Sequence, residues 1–467
     1  MKIAFVSANR ETLPDPVVPI GLLYVMANVP PGHELELWDL CFEAEPYTYL
    51  REKIAEFRPD LVAVGMRNLQ SNDYSGSAAT LEHYARVFEA IRATTRAPVV
   101  LGGGGFSVMP EELMQRFAPD YGISGEGERA FAQLVRVLAG EGDQLGPIAN
   151  LHQFRTPARQ LSKPSAPARA GAELVTAAAP GGFLELDAVR WPSRALADAR
   201  YYRDIGIDAI QTKRGCPMRC DYCTYPTIEG RVSRQREPEH VVDELLAARR
   251  EVAATHFFIV DSVFNLPPAH AKAVCREMIR RGFDTPWTCY ANPIAYDEEL
   301  ARLMAQAGCA GMEVGSDSGE DEVLVRLRKG FSTQHIRALH DRAAAAGIPD
   351  CHSFILGTPG ETMDGVRRTL DFCVRLDPYA AIMMVWTDDR EALDPDLARH
   401  GRALRERIEA LLREVAPEFS RWIVPSLSIN FDAGLFRMLR RAGRTGPLWQ
   451  WIHEAPVRRR EQPAARG

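Results

Sequence analysis

The sequence predicts an α/β protein: a doubly wound, Rossmann-like unit first, then a partial (β/α)6 barrel of the TIM type, and a mainly helical cap at the carboxy terminus. Three observations predict it. Short apolar runs alternate with helical stretches in two separate series, the pattern of parallel strands covered by helices. A Pro-, Ala- and Gly-rich span without apolar periodicity lies between the two series. The chain also has 467 residues and 46% hydrophobic content, enough for two cores and too long for one domain of ordinary size. The expected division is residues 1–145 for the first unit, 146–195 for the linker, 196–390 for the barrel and 391–467 for the cap.

In the first unit, Lys2–Ala8, Leu35–Leu40, Leu61–Met66, Pro98–Leu101 and Tyr121–Ser124 read as strands. Ligands of doubly wound sheets bind beyond the carboxyl ends of the strands. The residues that follow each run are therefore the candidates. After the third run come Gly65, Met66, Arg67, Asn68, Leu69, Gln70 and Ser71; after the fourth, Gly102 to Gly105 with Phe106 and Ser107; after the fifth, Gly125, Glu126, Gly127 and Glu128. Four glycines let a backbone approach a large flat or phosphorylated ligand, and they equally suit a tight turn. Glu126 and Glu128 equally suit caps for the helix that follows.

From Asn150 to Gly182 the chain reads as a linker, partly ordered across a domain face. Strands of the second unit are expected at Ile207–Thr212, His256–Val260, Pro286–Tyr290, Gly311–Gly315, His352–Leu356 and Ala380–Trp386. Ser332 suits an N-cap and Gly347 a C′ position, bracketing an alanine-rich helix. Reactive residues of α/β barrels gather at the carboxyl ends of the strands. Beyond Trp386 a charged helical pattern runs from Asp396 to Val415, followed by Trp422, Phe431, Phe436, Trp449 and Trp451. The area that such rings bury argues for core before pocket. The last residues, with Arg458, Arg459 and Arg460, read as a frayed polar tail.

The densest chemical signal follows the first barrel strand. Cys216, Cys220 and Cys223 lie within eight residues, in the order C-x3-C-x2-C. Soft thiolates select zinc, copper(I) or iron–sulfur, and three of them leave one position of a tetrahedral shell open. A 4Fe-4S cluster normally takes four cysteines, so three would leave one iron free to bind a ligand. The next cysteine, Cys275, lies far downstream, so a local zinc knuckle lacks its fourth thiol.

This spacing, with Tyr222 before the last cysteine, resembles the radical S-adenosylmethionine (SAM) superfamily. The strand-end loops of residues 1–140, with the segment containing Leu22 and Tyr24, resemble the cobalamin-binding domain of its cobalamin-dependent members. The resemblance implies a 4Fe-4S cluster on the three cysteines, SAM on its free iron, and cobalamin. Its tail would lie along the glycine loop, with Gly103, Gly104, Phe106 and Ser107, and the acidic loop, with Gly125, Glu126, Gly127 and Glu128; Leu22, Tyr24, Asn68, Leu69 and Gln70 are further cofactor-binding candidates. The Asp-x-His-x-x-Gly signature, whose histidine binds cobalt in many cobalamin proteins, is absent. Arg67 is the candidate to lie under the corrin as a non-ligating cation, or else a surface arginine paired with a carboxylate. For SAM, the resemblance points to Asp261 and Ser262 at the amino group, with Asn292 as a further candidate. It places Glu313, Ser316 and Asp317 at ribose and carboxylate, and backbone near Leu356 at adenine.

The activity so implied is methyl transfer from SAM, via methylcobalamin, to a carbon of a small natural-product intermediate or peptide. An external electron donor of the flavodoxin or ferredoxin type would supply electrons. The alternatives are a cobalamin-dependent cyclase or rearrangement enzyme, or a nonenzymatic cobalamin sensor or carrier that leaves the cysteine loop without purpose. A methylthiotransferase fails on counting, because only Cys41 precedes the linker. A formal charge of -6 gives no broad basic field and argues against nucleic acid as partner. No apolar run reaches the roughly 18 residues of a membrane span, and nine cysteines in odd number fit a reducing compartment, so a cytoplasmic protein is expected.

Overall fold

Residues 1–69, 77–141, 148–155, 173–176, 183–388 and 401–454 are described by a computed structural model of the protein. The first sheet is built from β1 (Lys2–Ser7), β2 (Glu34–Asp39), β3 (Leu61–Gly65), β4 (Val99–Gly102) and β5 (Tyr121–Ile123), all parallel, in the order β2-β1-β3-β4-β5. Helices cover both faces: α1 (Ile20–Ala27), α2 (Pro46–Phe57), α3 (Ala78–Thr94), α4 (Gly104–Val108), α5 (Pro110–Phe117) and α6 (Gly127–Leu138). Burial on both faces explains why β1 and β3 read as continuous apolar runs, not alternating ones. One core holds Val6, Val64, Leu101 and Phe88; the other holds Phe5, Leu23, Ile123 and Leu134.

The span expected as linker contains two strands that the sequence reading did not place. β6 (Leu151–Arg155) pairs antiparallel with β5, and β7 (Glu173–Thr176) pairs antiparallel with β6, extending the sheet to seven strands. β6 has five residues and β7, at the sheet edge, four, and strands this short carry few apolar residues, which is why composition concealed them. The rest of the Pro/Ala/Gly-rich stretch lies outside the described residues.

The second sheet is wholly parallel and sequential: β8 (Ile207–Ile210), β11 (His256–Ile259), β12 (Trp287–Ala291), β13 (Cys309–Asp317), β14 (Asp350–Leu356), β15 (Ala380–Val385) and β16 (Trp422–Ile423). A small hairpin, β9 (Lys213–Arg214) with β10 (Arg234–Gln235), flanks the cysteine loop. The outer layer is α8 (Pro238–Val252), α9 (Pro268–Arg280), α10 (Glu298–Gln306), α11 (Asp321–Arg326), α12 (Thr333–Ala345) and α13 (Met363–Leu376), while α7 (Tyr225–Glu229) follows the cysteines. Strand residues Phe257, Trp287, Met312 and Val314 bury outward against these helices. Ser332 caps α12 in a capping box closed by His335, and Gly347 follows its end with φ +72°.

The carboxy-terminal segment supplies more than helices. α14 (Arg402–Val415) packs on α13, β16 adds a seventh strand to the barrel sheet, and α15 (Ala433–Arg441) leads to Trp449 in the core with Cys351 and Ala380. Residues 396–400 of the expected helix and the arginine-rich tail lie outside the described residues. No helix among the described residues is long and apolar enough to cross a membrane.

Candidate cluster and cofactor site

The carboxyl ends of the two sheets face one cavity of about 640 Å³. The first unit lines it with Leu22 of α1, Arg67, Asn68 and Leu69 after β3, Gly103 and Gly104 after β4, and Gly125, Glu126, Gly127 and Glu128 after β5. The second unit closes it with Ala209, Gln211, Arg214, Val260 and Tyr290 at strand ends, and with Thr224, Tyr225, Ile228 and Glu229. The last four matter most, because they follow Cys223 directly. α7 packs on α4, so the loop that carries the thiols is braced on the loop that walls the cavity.

The glycines after β4 are required by their neighbours. Gly103 has φ +105°, and a Cβ there would lie 2.4 Å from the Met66 carbonyl oxygen; one on Gly105 would lie 2.8 Å from Met66 Cγ. Two strand-end loops thus touch backbone to backbone and present a wall without side chains. Ser107 stitches that wall to the next loop: its Oγ donates to the Gly103 carbonyl at 2.7 Å and accepts from Gly125 N at 2.8 Å.

Cys216 is buried, and Cys220 and Cys223 are half-buried; none of the nine cysteines is in a disulfide, and the other six are buried. Burial raises the thiols of Cys220 and of Cys223, the latter to about 11, while Lys329 works in the opposite direction on both. The loop is closed by Cys216 N donating to Gly230 O at 3.1 Å and Asp221 N donating to Leu327 O at 3.0 Å. Tyr222 O–H donates to Asp317 Oδ2 at 2.5 Å, and Lys329 Nζ lies 2.7 Å from the same carboxylate and 3.2 Å from the phenol oxygen. Asp317 ends β13 with φ +61°, beside a register shift after Gly315, so the strand is locally distorted where it meets the cysteine loop. Lys329 is a member of this constellation that sequence reasoning missed. A lysine twelve residues past a strand gives no local signal.

The other barrel candidates are placed variously. Asp261 is fully buried and accepts from Thr212 N at 2.7 Å and Thr212 Oγ1 at 2.5 Å, with Lys213 N at 3.3 Å; it fastens the end of β8. Ser262 Oγ beside it is buried without a protein partner among the described residues. The Asn292 side chain accepts from Ile294 N at 2.9 Å, shaping its own turn. Ser316 Oγ is 2.7 Å from His352 Nδ1, and His352 Nε2 is 2.9 Å from Asp350, which also binds His340 at 2.7 Å. This buried chain of polar groups was not foreseen, since its members come from three elements. Leu356 buries its side chain in the outer core, and its carbonyl accepts from Trp386 N, leaving Gly357 as the first backbone of that loop with another partner, Glu361.

Three first-unit candidates, Tyr24, Phe106 and Ser107, are not among the residues that line the cavity. Tyr24 faces away from the cavity and donates to Glu244 at 2.8 Å, because α1 turns Leu22 and Val25 inward and Tyr24 toward α8. Phe106 is fully buried, edge-on to His152, as the apolar floor beneath the glycine wall. Ser107 is used up in the stitching above. Gln70 lies outside the described residues. Glu126 and Glu128 border the cavity yet pair with arginines of the second unit: Arg214 lies 3.2 Å from Glu126 and 2.5 Å from Glu128, and Arg234 lies 2.8 Å from Glu126. Glu126 stands at the N-cap position of α6, but its side chain makes no capping hydrogen bond to that helix.

The donor set fits the implied groups. Three unpaired thiols on one closed loop suit a cluster with one iron left open, the unpartnered Ser262 hydroxyl suits a polar ligand beside it, and a cavity walled by glycine backbone suits a broad flat one.

Comparison with known proteins bears on the same elements. The family profile described as "B12 binding domain" matches residues 6–135, and that described as "Radical SAM superfamily" matches residues 210–373. The tryptophan 2-C-methyltransferase of Streptomyces laurentii is 29% identical over 424 residues, which cover 79% of this chain and 70% of the relative. The cytidylyl-2-hydroxyethylphosphonate methyltransferase of Streptomyces wedmorensis is 25% identical over 415 residues, 78% of this chain and 74% of that one. Among solved structures, the radical S-adenosylmethionine methyltransferase TsrM from Kitasatospora setae, with tryptophan substrate and a SAM analog bound, superposes with a TM-score of 0.79. It is 25% identical, covering 97% of this chain and 98% of that chain. The same enzyme is also known with cobalamin and a [4Fe-4S] cluster bound.

Proposed function

We propose an acceptor and a division of labour for a chain that belongs to the cobalamin-dependent radical SAM enzymes and is, like the tryptophan 2-C-methyltransferase among its relatives, a C-methyltransferase using a 4Fe-4S cluster, SAM and cobalamin. The acceptor is a small natural-product intermediate or peptide. Two named relatives act on small molecules, which makes tryptophan the first compound to assay. An external one-electron donor and a cytoplasmic setting belong to the same proposal; nine cysteines without a disulfide support the latter.

The observation that carries this reading is the shared cavity: residues of the B12-binding segment and the residues immediately after Cys223 form its opposite walls. When bound, the cofactors supply the methyl group, its carrier and the one-electron chemistry. The protein supplies geometry. Cys216, Cys220 and Cys223 would hold the cluster, with Tyr222, Asp317 and Lys329 fixing their loop against β13. Ser262, Ser316 and the backbone after β14 are the candidates to orient SAM. The glycine wall excludes water from one side, and α7 from the other.

The test is anaerobic turnover after loading with iron, sulfide and cobalamin. S-adenosylhomocysteine and a product carrying labelled methyl from SAM are expected, both requiring cobalamin. 5′-Deoxyadenosine without any methylated product would replace this reading with a cyclase or rearrangement.

Arg67 supplies a second expectation. It is exposed in the cavity at the end of β3, and no histidine of a cobalt-binding signature is present. Placed beneath the corrin, Arg67→Ala would shift the absorption bands of bound cobalamin while iron content stays at the wild-type level. An unchanged spectrum would place Arg67 away from the metal face.

A further inference from the structure

We propose that Glu313 is the acceptor-recognition group of the barrel, taking a hydrogen bond from an N–H of the substrate beside Tyr290. The inference rests on the methyltransferase reading only for the identity of the bound molecule as methyl acceptor.

β13 buries Met312 and Val314 outward against the helices. Strand alternation therefore turns Gly311, Glu313 and Gly315 to the inner face, where Glu313 is the one side chain. Below it the space is filled: a Cβ on Gly311 would lie 2.7 Å from Gln450 Nε2 and 2.8 Å from Trp449. Above it the neighbours are polar and no closer than ordinary contact: a Cβ on Gly315 would lie 3.7 Å from Asp317 Oδ1 and 3.9 Å from Lys329 Nζ. That side leads along β13 to Asp317, and so to the cysteine loop.

Across the sheet, Glu313 is in register with Tyr290 of β12 and with Cys351 of β14. Tyr290 lines the cavity, 38% exposed, with Phe258 edge-on to its ring at 4.9 Å. Glu313 thus stands one strand in from the cavity wall, at the same level.

Its polar bonding is incomplete in an informative way. Glu313 is half-buried, and among the described residues it makes one hydrogen bond: Trp449 Nε1 donates to Oε1 at 3.0 Å. The other oxygen has no protein partner among them, yet it is not among the buried orphan atoms, so it opens on accessible space. Asp317, the next acid along β13, meets a cation: Lys329 Nζ lies 2.7 Å away. Glu313 has none, and burial pushes its carboxyl up to about 7 against the hydrogen bond from Trp449. A half-buried carboxylate without a counter-charge is costly until a donor arrives. A substrate ammonium or ring N–H is such a donor, and the aromatic Tyr290 and Phe258 beside it suit a flat apolar body.

Binding to the cluster- and cobalamin-loaded enzyme separates the two donors without turnover, so its failure is distinct from failure of methyl transfer. The probes are L-tryptophan, with both donors; 1-methyl-L-tryptophan, with the amine alone; and indole-3-propionate, with the ring N–H alone. Calorimetry is done on wild type, Glu313→Gln and Glu313→Ala, each checked for unchanged iron and cobalamin content. An ammonium partner predicts that 1-methyl-L-tryptophan loses at least tenfold in affinity in both variants. A ring N–H partner predicts that indole-3-propionate loses tenfold in Glu313→Ala and far less in Glu313→Gln, whose amide oxygen still accepts. Equal affinities in wild type and Glu313→Ala, or no saturable binding of any probe to wild type, overturn the proposal.

Discussion

Cys220→Ala is expected to abolish product formation from SAM and to leave cobalamin binding at wild-type strength. The two halves of that result come from different parts of the structure. Cys220 lies on the loop between β9 and α7, half-buried, and belongs to none of the apolar cores. Its removal leaves no core cavity, and the stability cost is expected to stay within about 0.5 kcal/mol, as for surface changes generally. Cys220 is not among the residues that line the cavity, whose first-unit wall includes Leu22, Arg67, Gly103 and Gly104. What is lost is one of three thiolates, with no fourth near enough in sequence to replace it, because the remaining six cysteines are buried elsewhere. Loss of a partner to a ligand costs a metal site 10–100-fold. Loss of a ligand itself should therefore lower turnover by at least about 100-fold, with iron and sulfide content falling in parallel. Cobalamin titration followed by absorption, on the same sample, checks the second half. Turnover that survives with full iron content would remove Cys220 from the ligand set.

How far the site was legible in the sequence depended on whether its residues act locally. Eleven parallel strands were read to within two residues at each end because burial on both faces writes a continuous apolar run. The cysteine loop was read because its three ligands share one loop. β6, β7 and β16 were missed because, at five residues or fewer, they write no apolar run long enough to stand out. Tyr24 was misplaced for another reason. Helix periodicity shows that Leu22 and Tyr24 project from different faces of α1, but not which face meets the cavity; that depends on where α8 packs. Glu126 and Glu128 were read as ligand contacts or caps, and their arginine partners lie more than eighty residues downstream. Lys329, His352 and the free oxygen of Glu313 belong to the same class: their roles arise from strands brought side by side. Local spacing carries no trace of them.

That long-range ionic layer also sets the second large effect. Glu244 of α8 is fully buried, with Arg194 Nη2 2.7 Å from one oxygen, Arg236 Nη1 2.7 Å from the other, and the Tyr24 hydroxyl donating at 2.8 Å to both. Burial opposes the charge on Arg194, but Asp208 and Glu244 outweigh it and raise its pKa; burial opposes that on Arg236 too, and Glu244 is the foremost influence that raises it. Through Tyr24 the cluster ties α1 of the cobalamin unit to α8 of the barrel, next to the cavity they share. Glu244→Ala would leave Arg236 buried without its carboxylate and Arg194 with Asp208 alone. Breaking a buried pair from one side costs about 3–5 kcal/mol, since the remaining charge loses its compensation while staying out of water. Denaturant unfolding should show a loss of that size, and cobalamin affinity should fall with it, because α1 lines the cavity through Leu22 and Val25. Glu244→Gln keeps an acceptor for one arginine and should lose less. A loss under about 1 kcal/mol for Glu244→Ala would mean that water reaches the two guanidiniums, and that the joint between the units is held by the Arg214 and Arg234 pairs with Glu126 and Glu128 instead.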